Sequence, residues 1–259
     1  MPRPPKAEED QVAASIEHHT FAVVGAAAGI GRATAIRLVQ AGARVACLDR
    51  DVDGVLQLAS EIGDAAVAVG CDVADLDQIP DAFAEVVGWA GQVHGLVNCA
   101  GITGVTGAPS HDVPVSDFCE VVRVNLEGAF VLTHTVLPHL LEYDYGRILH
   151  VASIAGKEGN AGMVSYSASK AGMIGMVKAQ GKEYADTNIT INALAPAVIR
   201  TAMVDAMPEE QVRYMTDKIP MKRCGTLEEA AELIAWIVSP ACSFTTGFTF
   251  DLSGGRAVY

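Results

Sequence analysis

The chain has 259 residues, half of them hydrophobic and 25 of them glycine, which suits one large α/β domain with a sizeable buried core. Its formal net charge of -13 at pH 7 repels phosphate backbones and excludes bulk nucleic-acid binding, though not an anionic cofactor held locally by backbone N–H groups. No stretch approaches the length of a membrane span. The six cysteines show no Cys-x-x-Cys spacing and the histidines no metal-ligand spacing, so free thiols in a reducing cytoplasm are expected, with no metal.

Residues 1–18 read as a polar extension without the apolar region of a signal peptide. From there, short apolar runs alternate with helical patterns. FAVV (21–24) is followed by a glycine-rich turn and the helical stretch 31–42. RVACLD (44–49) precedes helix 53–63, and AAVAVGCDV (65–73) precedes helix 75–91. HGLVNCAG (94–101) runs into a loop, and a long helical pattern covers 115–142. RILHVAS (147–153) is followed by helix 162–185, NITINALAP (188–196) by an irregular stretch, and helix 227–238 by FTFDL (248–252). Seven strands alternating with about six helices predict one parallel sheet with helices on both faces, in a single domain over 19–259. The stretch 199–225, rich in Met, Pro and mixed charge, breaks the rhythm and is a candidate lid.

The first strand leads into Gly25-Ala26-Ala27-Ala28-Gly29-Ile30-Gly31. Such a turn lets the backbone leave the strand sharply and lets a pyrophosphate approach the helix N-terminus unobstructed. The second strand ends at Asp49, 18 residues after Gly31, where a carboxylate accepts from ribose hydroxyls of NAD and repels the 2′-phosphate of NADP. Arg50 beside it is the residue type that accommodates that phosphate, and NAD is the favoured cofactor. Asp72 and Val73 close the third strand and Asn98-Cys99-Ala100-Gly101 the fourth. All lie at carboxyl ends of strands, where open α/β sheets bind ligands.

Tyr166 and Lys170 stand four residues apart at the start of a helix and so project from one face. An ammonium beside a phenol lowers a pKa that is otherwise about 10, which fits Tyr166 as acid/base for an alcohol or ketone. Lys170 is also placed to donate to a nicotinamide ribose. Ser153, 13 residues before Tyr166, is placed to hydrogen-bond the substrate oxygen. Asn125, a poor helix former in a helical stretch, is expected to face inward and hold a water near Lys170.

Taken together, Gly25-x3-Gly29-Ile30-Gly31, Asp72, Asn98-x-Ala100-Gly101, Asn125, Ser153 and Tyr166-x3-Lys170 resemble the short-chain dehydrogenase/reductase family over about residues 20–255. The resemblance implies a Rossmann-like, doubly wound sheet of seven parallel strands. It implies the tetrad Asn125, Ser153, Tyr166 and Lys170, and a homotetramer packed through the helices near 115–142 and 162–185. It also implies carboxamide and pyrophosphate contacts from Pro196, Ile199 and Thr201. Val24, Cys99 and Ala197 depart from the family's usual Thr, Asn and Gly. Within the family, SIAGKEGN, PAVIRTAMV and FTFDLSGGRAVY are similar to NAD-dependent dehydrogenases of 2-keto-3-deoxy sugar acids, such as the L-fuconate or L-rhamnonate type. The overall pattern is also similar to 3-oxoacyl-(acyl-carrier-protein) reductases. A non-catalytic dinucleotide sensor is a third alternative, but it would be expected to have lost Tyr166 or Lys170. The lid cations Arg200, Arg213, Lys218, Lys222 and Arg223 read first as solvated charges and second as partners for a substrate carboxylate.

Overall fold

A computed structural model describes residues 15–257 and 259. Of the polar extension expected over 1–18, residues 1–14 therefore lie outside the described residues. Residues 15–18 form a turn that tucks Ile16 into the core, with the His18 N–H donating to the Gly42 carbonyl at 3.0 Å.

The strands are β1 (Thr20–Val24), β2 (Arg44–Asp49), β3 (Ala66–Gly70), β4 (Gly95–Asn98), β5 (Gly146–Val151), β6 (Ile189–Pro196) and β7 (Thr249–Leu252). They form one seven-stranded sheet in the order β3-β2-β1-β4-β5-β6-β7, and every pairing is parallel. Strand order reverses between β1 and β4, so the carboxyl ends of these two strands part and leave a crevice, the usual ligand site of such sheets.

The helices are α1 (Gly29–Gln40), α2 (Val52–Ile62), α3 (Gln78–Ala90), α4 (Val115–Val122), α5 (Gly128–Glu142), α6 (Ile154–Glu158), α7 (Val164–Glu183), α8 (Ala202–Asp205), α9 (Glu209–Asp217) and α10 (Leu227–Ile237). Strand residues alternate faces with a period of two. On one side Ala22, Val24, Ala46, Leu48, Leu96 and Ile148 pack with Ile79, Val86, Leu132, Val136, Met173 and Val177 of α3, α5 and α7. On the other, Phe21, Val23, Val45, Cys47, Val97 and Leu149 pack with Ala35, Leu38, Val55, Leu58 and Ile234 of α1, α2 and α10. Both faces of the central strands are thus apolar, which explains their continuous hydrophobic runs.

Three details were not read from the sequence. The predicted helix 115–142 is two α segments joined by a π turn at Arg123–Glu127, centred on Asn125. A short helix, α6, occupies the loop after Ser153. The irregular stretch 199–225 folds into α8 and α9, tied back by a parallel bridge between Ile199 and Gly225.

Candidate active site

The crevice is built first by glycines. The chain leaves β1 at Gly25 with φ +78, and a Cβ there would stand 2.8 Å from the Ala100 nitrogen of the neighbouring strand end. At Gly31 a Cβ would meet the Gly25 carbonyl oxygen at 2.0 Å. Only hydrogen fits at either place, so the turn lies flat against the start of α1. Ala28, the N-cap of α1, offers no side-chain cap, and the first turn carries no acidic residue. The helix N–H groups and dipole therefore remain available to an anion.

Asp49 does two things at the end of β2. Its Oδ2 accepts from the Ala27 N–H and its Oδ1 from the Asp51 N–H, both at 3.0 Å. It fixes the glycine-rich turn as well as lining the crevice beside Gly25, Ala28, Arg50, Asp72, Val73, Cys99, Ala100 and Gly101. A carboxylate has about four lone-pair sites, so capacity for ribose hydroxyls is left. Arg50 is exposed at the rim. Asp72 accepts from the Ala74 N–H at 2.9 Å, which fixes the turn that follows β3. Across the opening, Thr201 caps α8 and places its methyl 3.9 Å from the Cβ position of Gly29, close to the glycine-rich turn. Ile199 is buried, and Pro196 ends β6. An uncapped helix N-terminus, a cradle that a Cβ would fill and a carboxylate at the end of β2 fit a dinucleotide such as NAD.

Asn98 lies elsewhere than the crevice wall expected from the sequence. It is buried, its Oδ1 accepting from the Ala100 N–H at 3.1 Å and its Nδ2 lying 3.2 Å from His150 Nδ1. His150 Nε2 lies 2.8 Å from Thr133 Oγ1, whose hydroxyl donates to the Ala129 carbonyl. Thr133 has spent its one hydrogen, so His150 must donate through Nε2 and accept at Nδ1. Burial, with the nearby Lys170 charge, holds His150 down at about 3, in keeping with a neutral ring. This chain seats the 99–101 loop from behind. A histidine inside the apolar run RILHVAS was the sequence signal for it, since a polar group in a buried strand needs partners.

Ser153, Tyr166 and Lys170 converge at the carboxyl end of β5. Ser153 accepts from the Ala155 N–H at 3.1 Å, capping α6, and its hydroxyl acts to lower the Tyr166 pKa. Lys170, only 3% exposed, donates to the Val151 carbonyl at 2.7 Å, and its Nζ stands 5.7 Å from the Tyr166 ring centre. Burial pushes Lys170 down to about 8. Burial pushes Tyr166 up, opposed by Ser153, and the net direction is upward, opposite to the lowering expected from the adjacent ammonium.

Asn125 is fully buried, as the helical context suggested. Its Oδ1 accepts from the Ile102 N–H at 2.8 Å, and its Nδ2 donates to the Ile102 carbonyl and to Ser169 Oγ, each at 2.9 Å. Both Nδ2 hydrogens are thereby used, while Oδ1 keeps one lone pair that could accept from a water.

Most lid cations are partnered. Arg200 pairs with Asp205, Arg223 forms two bonds to Glu229, Lys218 donates to Tyr214 and Lys222 to the Asp217 carbonyl. Arg213 is exposed on the wall of a groove between α8 and α9.

A family model described as enoyl-(acyl carrier protein) reductase matches residues 25–257. The chain is 43% identical over 237 residues to the 2-dehydro-3-deoxy-L-rhamnonate dehydrogenase (NAD(+)) of Sphingomonas sp. (strain SKA58), covering 92% of this chain and 94% of that one. It is 36% identical over 246 residues to the 3-oxoacyl-(acyl-carrier-protein) reductase of Thermotoga maritima, covering 94% and 99% of the two. Among solved structures, the 3-ketoacyl-(acyl-carrier-protein) reductase of Brucella melitensis complexed with NADH superposes with a TM-score of 0.89 at 32% identity, over 94% of this chain and 100% of that chain.

Proposed function

Since the chain belongs to the short-chain dehydrogenase/reductase family, we propose that it is an NAD-dependent dehydrogenase oxidising a secondary hydroxyl of a 2-keto-3-deoxy (2-dehydro-3-deoxy) sugar acid of the L-rhamnonate or L-fuconate type. The observation that carries this reading is the 43% identity to an NAD-linked enzyme of that class along nearly its whole length. Asp49 at the end of β2 supports the same cofactor. When bound, NAD supplies the hydride acceptor.

The chain's own residues supply the rest. Tyr166 Oη takes the hydroxyl proton during oxidation and returns it during reduction. Ser153 bonds the reacting oxygen and the phenol, holding the two together. Lys170, fixed by the Val151 carbonyl, sits where its charge favours the phenolate and where it reaches a ribose hydroxyl. The Asn98–His150–Thr133 chain and Asn125 keep the β4 loop in register with them. Thr201 lies close to the glycine-rich turn, and it is assigned, with Pro196 and Ile199 just before it in the chain, to the carboxamide and pyrophosphate.

The 36% identity to a 3-oxoacyl-(acyl-carrier-protein) reductase favours a second reading, reduction of an acyl thioester. A homotetramer is supported by exposed apolar side chains on two faces. One is Phe130 beside Leu126 and Met176, and the other is Trp236 and Phe248, both packed on Phe250. Free thiols at all six cysteines suit a cytoplasmic setting.

Cofactor choice tests the reading. The native chain should turn over the sugar acid with a higher kcat/KM for NAD than for NADP, and Asp49→Asn should narrow that ratio by roughly tenfold or more by removing like-charge repulsion. Asn keeps an acceptor for the Ala27 N–H, so the turn is spared, whereas Asp49→Ala should weaken both cofactors. A native enzyme that prefers NADP would overturn the role given to Asp49.

A further inference from the structure

We propose that Asp117 is a positioning residue that seats the loop after β4 on the start of the Tyr166 helix, and thereby sets the KM for substrate. The proposal rests on the reading of Tyr166 as acid/base. Asp117 lies in the first turn of α4, and its two carboxylate oxygens serve two different segments. Oδ1 accepts from the Val105 N–H at 2.9 Å, and Oδ2 accepts from the Ser165 hydroxyl at 3.0 Å. Ser165 is buried and immediately precedes Tyr166.

The loop is shaped to receive this carboxylate. Gly104, next to Val105, has φ +63, and a Cβ there would stand 2.4 Å from Val121 Cγ2 and 2.8 Å from Asp117 Oδ1. Only glycine lets the backbone settle this close to α4. The loop is held at two further points. Ile102 is clasped by Asn125, which also bonds Ser169 of α7, and the Gly107 N–H donates to the Gly162 carbonyl at 2.8 Å. At Gly101, where the loop begins, a Cβ would lie 3.2 Å from Lys170 Nζ, and a Cβ at Gly162, four residues ahead of Tyr166, would lie 3.1 Å from the Gly107 Cα. The span 102–107 therefore passes across the approach to Tyr166, and Asp117 is its middle support. Asp117 does not line the dinucleotide crevice. Its effect should fall on substrate and spare the cofactor.

A first-turn acid also stabilises its own helix through the dipole, and this is the structural alternative. Asn separates the two roles. It removes the charge but still accepts from the Val105 N–H through Oδ1 and donates to Ser165 Oγ through Nδ2. The test measures steady-state KM and kcat with whichever secondary alcohol the native chain oxidises best. It adds NADH affinity by fluorescence and hydrogen exchange at the Val105 amide, neither of which depends on turnover.

For Asp117→Ala the expected result is a roughly tenfold rise in KM, faster exchange at Val105, and an NADH Kd within about twofold of native. Asp117→Asn should stay close to native in all three. If Asp117→Ala does not fold, Ser165→Ala, which removes one of the two supports, should raise KM in the same direction with NADH affinity unchanged. An unchanged KM and Val105 exchange in the alanine variant overturns the proposal. So do equal effects of Ala and Asn, or a fall in NADH affinity as large as the rise in KM. Failure of the Tyr166 assignment would show separately, as undiminished turnover in Tyr166→Phe.

Discussion

Tyr166→Phe is expected to lower kcat about 10²–10⁴-fold while NADH binds as it does to the native chain. The substitution keeps the ring that lies beside Lys170 and removes only the hydroxyl. Among the described residues no imidazole or carboxylate bonds Ser153 or Lys170, and His150 is held neutral by burial with Asn98 and Thr133 as its partners. The residual rate should also lose the pH dependence that the phenol imposes. Because burial pushes Tyr166 up and the Ser153 bond pulls it down, native oxidation should accelerate as pH rises toward the phenol's pKa. Steady-state rates over a pH series, with fluorescence titration of NADH, check both statements. Turnover near the native level would remove Tyr166 from the chemistry.

Gly31→Ala should abolish useful cofactor binding, with NADH affinity falling by roughly a hundredfold or the chain losing stability outright. The added Cβ would sit 2.0 Å from the Gly25 carbonyl oxygen and 2.7 Å from its carbon. Those are backbone atoms of the turn itself, so relief requires α1 to move away from β1. That movement displaces the helix N-terminus offered to the pyrophosphate. Gly29→Ala is the control. It meets only the Thr201 methyl, at 3.9 Å, and carries the strain of φ +55, about 1–2 kcal/mol for a side chain in the left-handed region. Its NADH affinity should fall much less. Equal losses in the two variants would mean that helix approach is not what the third glycine protects.

Much of this was legible in the sequence, because the physical causes are local. Apolar runs buried on both faces declare parallel strands, and glycines between a strand and a helix declare a turn that must lie flat. Tyr166 and Lys170 share a helix face by spacing alone. What could not be read depends on partners far apart in the chain. Asp49 was legible as a ribose acceptor but not as the acceptor for Ala27, 22 residues earlier. Asn98 was read as a crevice residue, yet its amide turns inward to a histidine 52 residues later. Asn125 was expected within a regular helix and instead centres a π turn, with its amide committed to Ile102 and Ser169. The upward pressure on Tyr166 comes from burial, which spacing does not report. Asp117 is not singled out by the sequence, since nothing nearby announces Val105 and Ser165 as its partners.

The central claim is NAD-linked oxidation of a sugar acid, and the most direct measurement is a comparison of kcat/KM on the purified chain. Oxidation of 2-dehydro-3-deoxy-L-rhamnonate with NAD, followed by NADH absorbance, is set against reduction of an acetoacetyl thioester with NADPH. The account predicts efficient oxidation of the sugar acid with NAD, weaker oxidation with NADP, and little thioester reduction. Strong thioester reduction with NADPH and no activity on sugar acids with NAD would contradict it, and would move the chain to the acyl-carrier reductase reading.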